Sequence, residues 1–177
     1  MLTRGGAEAE DHLLLAEDLL VRATRVTRQL SVDLNPPILK NEGLTAILEW
    51  LQGQMRELNG LEVDLQAEGD LRIEDGDARV LLFQIFRELL FNIAKHSGVH
   101  AAVAAVQEHD GHVIVTISDR GQGFDLATLE GRDHQTVGLI NVRERVDLLG
   151  GTLRIESERN RGTSIAVQIP RVPRIGT

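Results

Sequence analysis

The segment Glu88-Leu-Leu-Phe-Asn92-Ile-Ala-Lys95-His96-Ser97 spaces a carboxylate, an amide and two basic groups by four and by seven or eight residues. On a helix, Glu88, Asn92 and Lys95 or His96 then share one face. So aligned, the carboxylate can orient a water, the amide oxygen can ligate a hard divalent ion, and the cation can meet a phosphate. A solvated helix face carries the same residue types, so this segment alone decides nothing. A second group, Asp119-Arg-Gly121-Gln-Gly123-Phe124, directly follows an alternating strand pattern. A strand-end aspartate can accept a hydrogen bond from an exocyclic amine, and glycines let a ligand approach the backbone, although a tight Asx turn uses the same residues. A third, Gly138-Leu-Ile-Asn141-Val-Arg143-Glu-Arg145, reads as a glycine placed before the first turn of a helix. The free N–H groups and positive dipole end of such a turn suit a phosphate, with Arg143 or Arg145 able to add a charge-assisted contact. Last, Arg161-Gly162-Thr163-Ser164 leads into the final strand, where Gly162 suits a turn.

Helices and strands must position these segments. The most apolar helical pattern runs over 78–96, with Val80, Leu81, Ile85, Leu89 and Ile93 directed inward. Earlier, over 11–34, Leu15, Leu19, Val26, Leu30 and Leu34 recur at helical spacing until Pro36 and Pro37 stop the pattern. Another helix is expected over 44–58, with Leu44, Ile47, Leu48, Leu51 and Met55 on one face and Asn59-Gly60 as its stop. Leu61, Val63 and Leu65 then alternate as in a strand. Alternating runs over 101–107 and 113–118 flank His109-Asp110-Gly111, a hairpin signal. A helix over 139–149 ends at Gly150-Gly151, and strands over 152–157 and 164–169 flank Asn160-Arg161-Gly162. Helices and strands mix, with the strands concentrated late. This predicts an α/β two-layer sandwich, in which a mixed, mainly antiparallel sheet is covered on one face by helices.

Composition narrows the function classes. The 177 residues are long enough for one well-cored domain and a short appendage. A net charge of -8 and the lack of a basic run argue against nucleic acid as a partner, because that affinity rests on Lys and Arg neutralising phosphates. A single nucleotide needs only local positive charge. The absence of cysteine removes thiolate catalysis and Cys-ligated zinc, and it fits a reducing cytoplasm. No apolar run approaches the ~20 residues of a membrane span, and residues 1–11 lack the apolar heart of a signal peptide.

Taken in order, the acidic-asparagine helix, Asp-x-Gly-x-Gly, Gly-x-x-Asn-x-Arg-Glu-Arg and Gly-Thr resemble the GHKL group of ATPases. The likeness is strongest to the catalytic domain of sensor histidine kinases. Glu88-Leu-Leu-x-Asn92-x-x-Lys95-His96-Ser97 is similar to that family's N box, in the variant of kinases paired with NarL-type response regulators. Val137 to Val146 and Leu149-Gly-Gly-Thr-Leu153 resemble the same subfamily. The likeness covers about residues 30–170, including Leu34-Asn-Pro-Pro-Ile-Leu39, which is similar to the join between the dimerisation helix and the catalytic domain.

The resemblance implies ATP and Mg2+ as cofactors, with Asn92 as the metal ligand. It implies Glu88 polarising or deprotonating an attacking histidine, and Lys95 or His96 at a phosphate. Asp119 would read the adenine amine, and Gly121 and Gly123 would shape the adenine pocket. Gly138 would mark a mobile lid over about 126–137, with Asn141 and Arg143 among the nucleotide-binding residues and Gly162 and Thr163 at the back of the base site. The expected organisation is a disordered lead-in (1–10), a partial dimerisation helix and linker (11–37), the catalytic domain (38–172) and a tail (173–177). A homodimeric parent, a NarL-type response regulator as partner and a cytoplasmic location follow from the same likeness, with any membrane anchor lying outside this sequence.

The chain departs from that pattern at one place. The acceptor histidine of these kinases lies on a first dimerisation helix in a Glu-Leu-His-Asp context, which this sequence lacks. His12, in Glu-Asp-His-Leu-Leu, reverses the order and reads as a surface residue, so the γ-phosphoryl acceptor is expected on a helix absent from this chain. Rival readings are a serine kinase of the anti-sigma-factor type and an interaction module with a vestigial nucleotide site. The linker Pro36-Pro37 opposes the first. The joint presence of Glu88, Asn92, Asp119, Gly121, Gly123 and Gly162 opposes the second.

Overall fold

The computed structural model describes residues 19, 20, 37–40, 42–68, 71–125 and 134–171. The chain divides into two units, Met1–Pro37 and Ile38–Thr177. The helix expected over 11–34 lies outside the described residues, apart from Leu19 and Leu20, which are helical and exposed. The second unit carries the site.

A 3-10 turn, Pro37–Lys40, leads into that unit with Leu39 buried, and helix α1, Leu44–Asn59, follows. Leu44, Ile47, Leu48, Leu51 and Met55 form its buried stripe, as their spacing predicts. Gly60, at φ 64°, ends α1 by donating its N–H to the carbonyls of Arg56 and Met55, a conformation that favours glycine. Strand β1 (Glu62–Ala67), helix α2 (Gly76–His96), strands β2 (Ala101–His109) and β3 (His112–Asp119), helix α3 (His134–Leu148), and strands β4 (Thr152–Glu158) and β5 (Gly162–Pro170) follow. The sheet order is β1-β2-β3-β5-β4. Only β1 and β2 are parallel, which requires the α2 crossover between them, and the other pairs are antiparallel. The mixed, mainly antiparallel sheet is thus present.

One sheet face forms the core. Ala102, Ala104 and Val106 of β2, Val113, Val115 and Ile117 of β3, and Ile165, Val167 and Ile169 of β5 alternate inward and are buried. Helix α2 starts at Asp75, whose side chain accepts the N–H groups of Asp77 and Ala78 at 2.9 and 3.0 Å. Its buried set is broader than the periodicity suggested. Ile85, Leu89 and Ile93 are buried as expected, together with Leu82, Phe83, Phe86 and Leu90, whereas Val80 and Leu81 are only half-buried. Helix α2 packs against α1, α3 and the sheet, so it needs apolar residues on several sides and no single stripe marks the inward face. Trp50 of α1 meets Phe83 with ring centroids 6.1 Å apart, a core contact.

Helix α3 differs from expectation at its start. It begins at His134 rather than Leu139, so Gly138 lies inside the helix and not ahead of it. In a regular helix the Gly138 N–H then bonds to the carbonyl four residues earlier, and only the first turn presents free N–H groups. The phosphate site expected at Gly138 from a helix N-terminus is therefore not formed there. Residues 126–133 of the expected lid lie outside the described residues, and its last four, His134 to Val137, are the opening turn of α3.

Candidate nucleotide site

The C-terminal half of α2, the ends of β3 and β5, and Leu139 of α3 enclose a cavity with about 450 Å³ of empty space, counting its open mouth. Leu89, Ile93, Ile117, Phe124, Leu139 and Ile165 supply the apolar lining. The polar lining is Asn92, His96 and Ser97 from α2, with Asp119 and Thr163 from the sheet. An apolar slot holding a few convergent polar groups is how a protein grips an aromatic ring and fixes its edge.

Sheet register makes the polar end. Asp119 on β3 stands directly opposite Thr163 on β5, which stands opposite Ser157 on β4. The Asp119 carboxylate accepts the Gly121 N–H at 2.7 Å. Burial holds this carboxyl above its ordinary range, opposed by the backbone N–H groups of Gly121 and Thr163. The glycines allow backbones to touch. A Cβ on Gly121 would overlap the Ser97 carbonyl oxygen, one on Gly123 that of Glu158, and one on Gly162 that of Asp119.

Gln122, between the two glycines, ties the site together. Its N–H donates to Ser97 O at 2.8 Å, its carbonyl accepts from Asn160 N–H at 2.6 Å, and its side-chain amide donates to the His96 carbonyl. These bonds fasten the end of α2, the loop after β3 and the β4–β5 turn to one another. Neither Gln122, Ser97 nor Phe124 was singled out from the sequence. Most of these contacts run through backbone atoms, and the Gln122 side chain acts on a carbonyl 26 residues away, so no local residue pattern marks them.

At the other end of the cavity, α3 presses on α2. A Cβ on Gly138 would overlap Glu88 Oε1 and lie 3.5 Å from Asn92 Nδ2, so both side chains converge beneath this glycine. Gly138 is thus a close-approach residue within a helix. Asn92 Nδ2 is buried and has no hydrogen-bond partner, an arrangement that costs free energy unless a ligand completes it. Arg87 neighbours Glu88: burial lowers its guanidinium, Glu88 raises it and Arg145 lowers it. Arg145 Nε donates to Gln84 Oε1 at 3.0 Å, linking α3 to α2.

Of the expected residues, Glu88, Gly121, Gly138 and Gly162 adjoin residues of the lining without belonging to it, and Lys95, Asn141 and Arg143 also stay outside it. Lys95 is exposed, with its Nζ over the Phe91 ring at 5.2 Å from the centroid. Arg143 is exposed and Asn141 half-buried on α3. Both follow from the earlier start of α3, which sets them in mid-helix rather than in its first turn.

Residues 77–173 match the family described as histidine kinase-, DNA gyrase B-, and HSP90-like ATPases. The chain belongs to that family. Among its relatives, the oxygen sensor histidine kinase NreB of Staphylococcus carnosus is 29% identical over 165 residues, covering 92% of this chain and 46% of NreB. The histidine-protein kinase/phosphatase DegS of Bacillus subtilis is 33% identical over 139 residues, covering 76% of this chain and 36% of DegS. The chain therefore spans less than half the length of these relatives. The blue-light activated histidine kinase of Erythrobacter litoralis shares the fold with a TM-score of 0.61 at 21% identity, over 72% of this chain and 42% of that one. Within the ATPase family, the chain carries an ATP-binding catalytic domain of the sensor histidine kinase type.

Proposed function

We propose that this domain transfers the γ-phosphoryl group of Mg-ATP to a histidine on a dimerisation helix beyond the described residues, for relay to a NarL-type response regulator. The observation that carries the reading is the cavity itself. It opposes Asn92 and His96 on one helix to Asp119 and Thr163 on the sheet, with three glycines pressing backbones together around it. The relatives' printed names supply the histidine-kinase activity. On the same reading, residues 11–37 end a dimerisation region, residues 38–172 are the catalytic domain, the parent is a homodimer, and the domain works in the cytoplasm. Among the described residues, no helix is long and apolar enough to cross a membrane.

Asp119 takes the adenine amine in this scheme, and the slot between Ile93, Ile117, Phe124 and Leu139 takes the ring. Asn92 offers its amide oxygen to magnesium, whose charge neutralises the phosphates. Magnesium characteristically keeps waters and uses one or two protein oxygens beside substrate phosphates. One amide near one carboxylate, with no cluster of three His, Cys, Asp or Glu among the described residues, suits a metal that arrives with the nucleotide. Glu88 polarises or takes the imidazole proton as the nitrogen attacks phosphorus and ADP departs. His96 stands by the phosphates, while Lys95 and Arg143 require a change of conformation to reach them.

Calorimetric titration of ATP, ADP and GTP, with and without magnesium, tests the proposal. We expect adenine-selective binding that magnesium strengthens for ATP, and a folded chain that binds none of the three would overturn it.

Asp119→Asn separates ligand binding from stability. It should weaken ATP and ADP alike by at least about tenfold, because it removes a charge-assisted hydrogen bond to the base. The apo domain should gain thermal stability at pH 7. The Asp119 carboxyl is raised in the fold, so its contribution is present below the unfolded pKa and lost as pH rises through the folded one. The gain should therefore shrink as pH falls through the carboxylate range. Weakening of ATP alone would refute the base assignment.

A further inference from the structure

The two outer strands of the sheet, β1 and β4, are finished differently. An edge strand offers a row of unpaired N–H and C=O groups, which proteins cover, cap or guard with charge. At β1 the Val63 carbonyl accepts the Gln52 side-chain amide at 2.6 Å, so α1 caps that edge. At β4, among the described residues, no strand or side chain does the same for Leu153, Ile155 or Ser157.

The register shows that these are the open residues. Opposed residues of an antiparallel pair either exchange both backbone hydrogen bonds or turn them both away, the second kind bringing side chains closer. Thr163 turns its N–H to the Asp119 carboxylate on β3, away from β4. Its pair with Ser157 is therefore of the second kind, which fits the 2.9 Å separation of the two hydroxyl oxygens. Ser157, and with it Ile155 and Leu153 at two-residue steps, directs its backbone N–H and C=O to the open side.

We infer that this edge is a self-association surface, and that its occupant is β4 of a second copy of this chain, paired antiparallel about Ile155. Ile155 is the middle residue of the seven in Thr152–Glu158. A two-fold axis beside it sets Ile155 against the same residue of the second copy, Leu153 against Ser157, Arg154 against Glu156, and Thr152 against Glu158. The open backbone groups of one strand then meet those of the other. Arg154 and Glu156 are both exposed and pair within their own strand at 2.5 Å. Across the axis each also faces the opposite charge, and the symmetry makes that match twice. No like charges oppose one another in this register. A pairing centred on Ser157 sets Glu156 against Glu158 and is repelled. Charge on this edge therefore selects one register, where like charges would block pairing altogether. Leu153 and Ile155, half-buried in the single chain, lose further exposure in the same arrangement.

Sedimentation equilibrium of the full chain, from about 10 μM to about 1 mM, should show a concentration-dependent dimer. Arg154→Glu alone, or Glu156→Arg alone, sets like charges opposite each other at both symmetric positions and should weaken the dimer at least about tenfold. The double variant Arg154→Glu/Glu156→Arg exchanges the charges and should return to within about threefold of wild type. An equimolar mixture of the two single variants should also associate, each pairing with the other in preference to itself. Both side chains are exposed, so thermal melts of all the variants should match wild type within a few degrees. A dimer that neither single substitution weakens, or that the double variant or the mixture fails to recover, places the contact elsewhere and overturns the β4 pairing. A wild-type chain that stays monomeric across the range overturns it as well. Nucleotide binding plays no part in the readout, so either result leaves the reading of the cavity where it stands.

Discussion

Asn92→Ala should yield a folded domain that has lost the magnesium-dependent part of ATP binding, a weakening of at least about tenfold at saturating metal. The domain should melt no lower than wild type. In the resting structure Asn92 Nδ2 is buried without a partner, and such a group costs on the order of 1–3 kcal/mol, so alanine removes a penalty rather than a bond. ADP without metal should bind both proteins nearly alike, because the base end of the cavity is untouched. Chelating magnesium from wild type should reproduce the variant's ATP affinity. Calorimetry and thermal melts of the two proteins supply these comparisons, and an ATP affinity that still rises with magnesium in the variant would remove Asn92 from the metal's coordination.

That prediction was within reach of the sequence, because Asn92, Asp119 and the glycines work through what their side chains are or lack. The end of α2, the strand before Asp119 and the hairpin at Asp110 and Gly111, with φ 49° and 72°, follow from periodicity and turn chemistry. The start of α3 was hidden for two reasons. Residues 134–136 are His, Gln and Thr and show no apolar stripe, and a glycine inside a helix costs about 1 kcal/mol, so Gly138 reads locally as a boundary. Packing decides otherwise: Leu139, Val142 and Val146 are buried along one face, and Gly138 lets α3 approach Glu88.

Ser157 was illegible for a different cause. It sits at the end of an ordinary alternating strand, and its hydrogen bonds to Phe124 N–H and Thr163 Oγ1 arise only when the register sets it opposite Thr163, which itself stands opposite Asp119. Gln122 likewise matters for which carbonyls lie within its reach, at residues 96 and 97, some 25 positions away in sequence. Side-chain chemistry shows in a sequence, whereas pairings across the fold do not.

The site also depends on backbones meeting, and the glycines let steric overlap be weighed against backbone conformation. Gly150→Ala and Gly162→Ala both place a Cβ at positive φ, 66° and 86°, where an L-residue pays about 1–2 kcal/mol. At Gly150 the new Cβ meets nothing within 4 Å, so conformation is the whole cost. At Gly162 it would overlap the Asp119 carbonyl oxygen and approach Arg120 Cα, and neither can swing aside as a side chain would. Overpacking adds about 1–3 kcal/mol, so Gly162→Ala should melt several degrees below Gly150→Ala. Affinity should separate them further. Relief of the overlap at residue 162 must part β3 from β5, which moves Asp119 away from Thr163, so ATP and ADP should both bind at least about tenfold more weakly at temperatures where the variant is folded. Gly150→Ala should bind both as wild type does. Equal nucleotide affinities in the two folded variants would mean that the base end of the cavity tolerates a shifted β5, and that the contact between residues 119 and 162 serves stability alone.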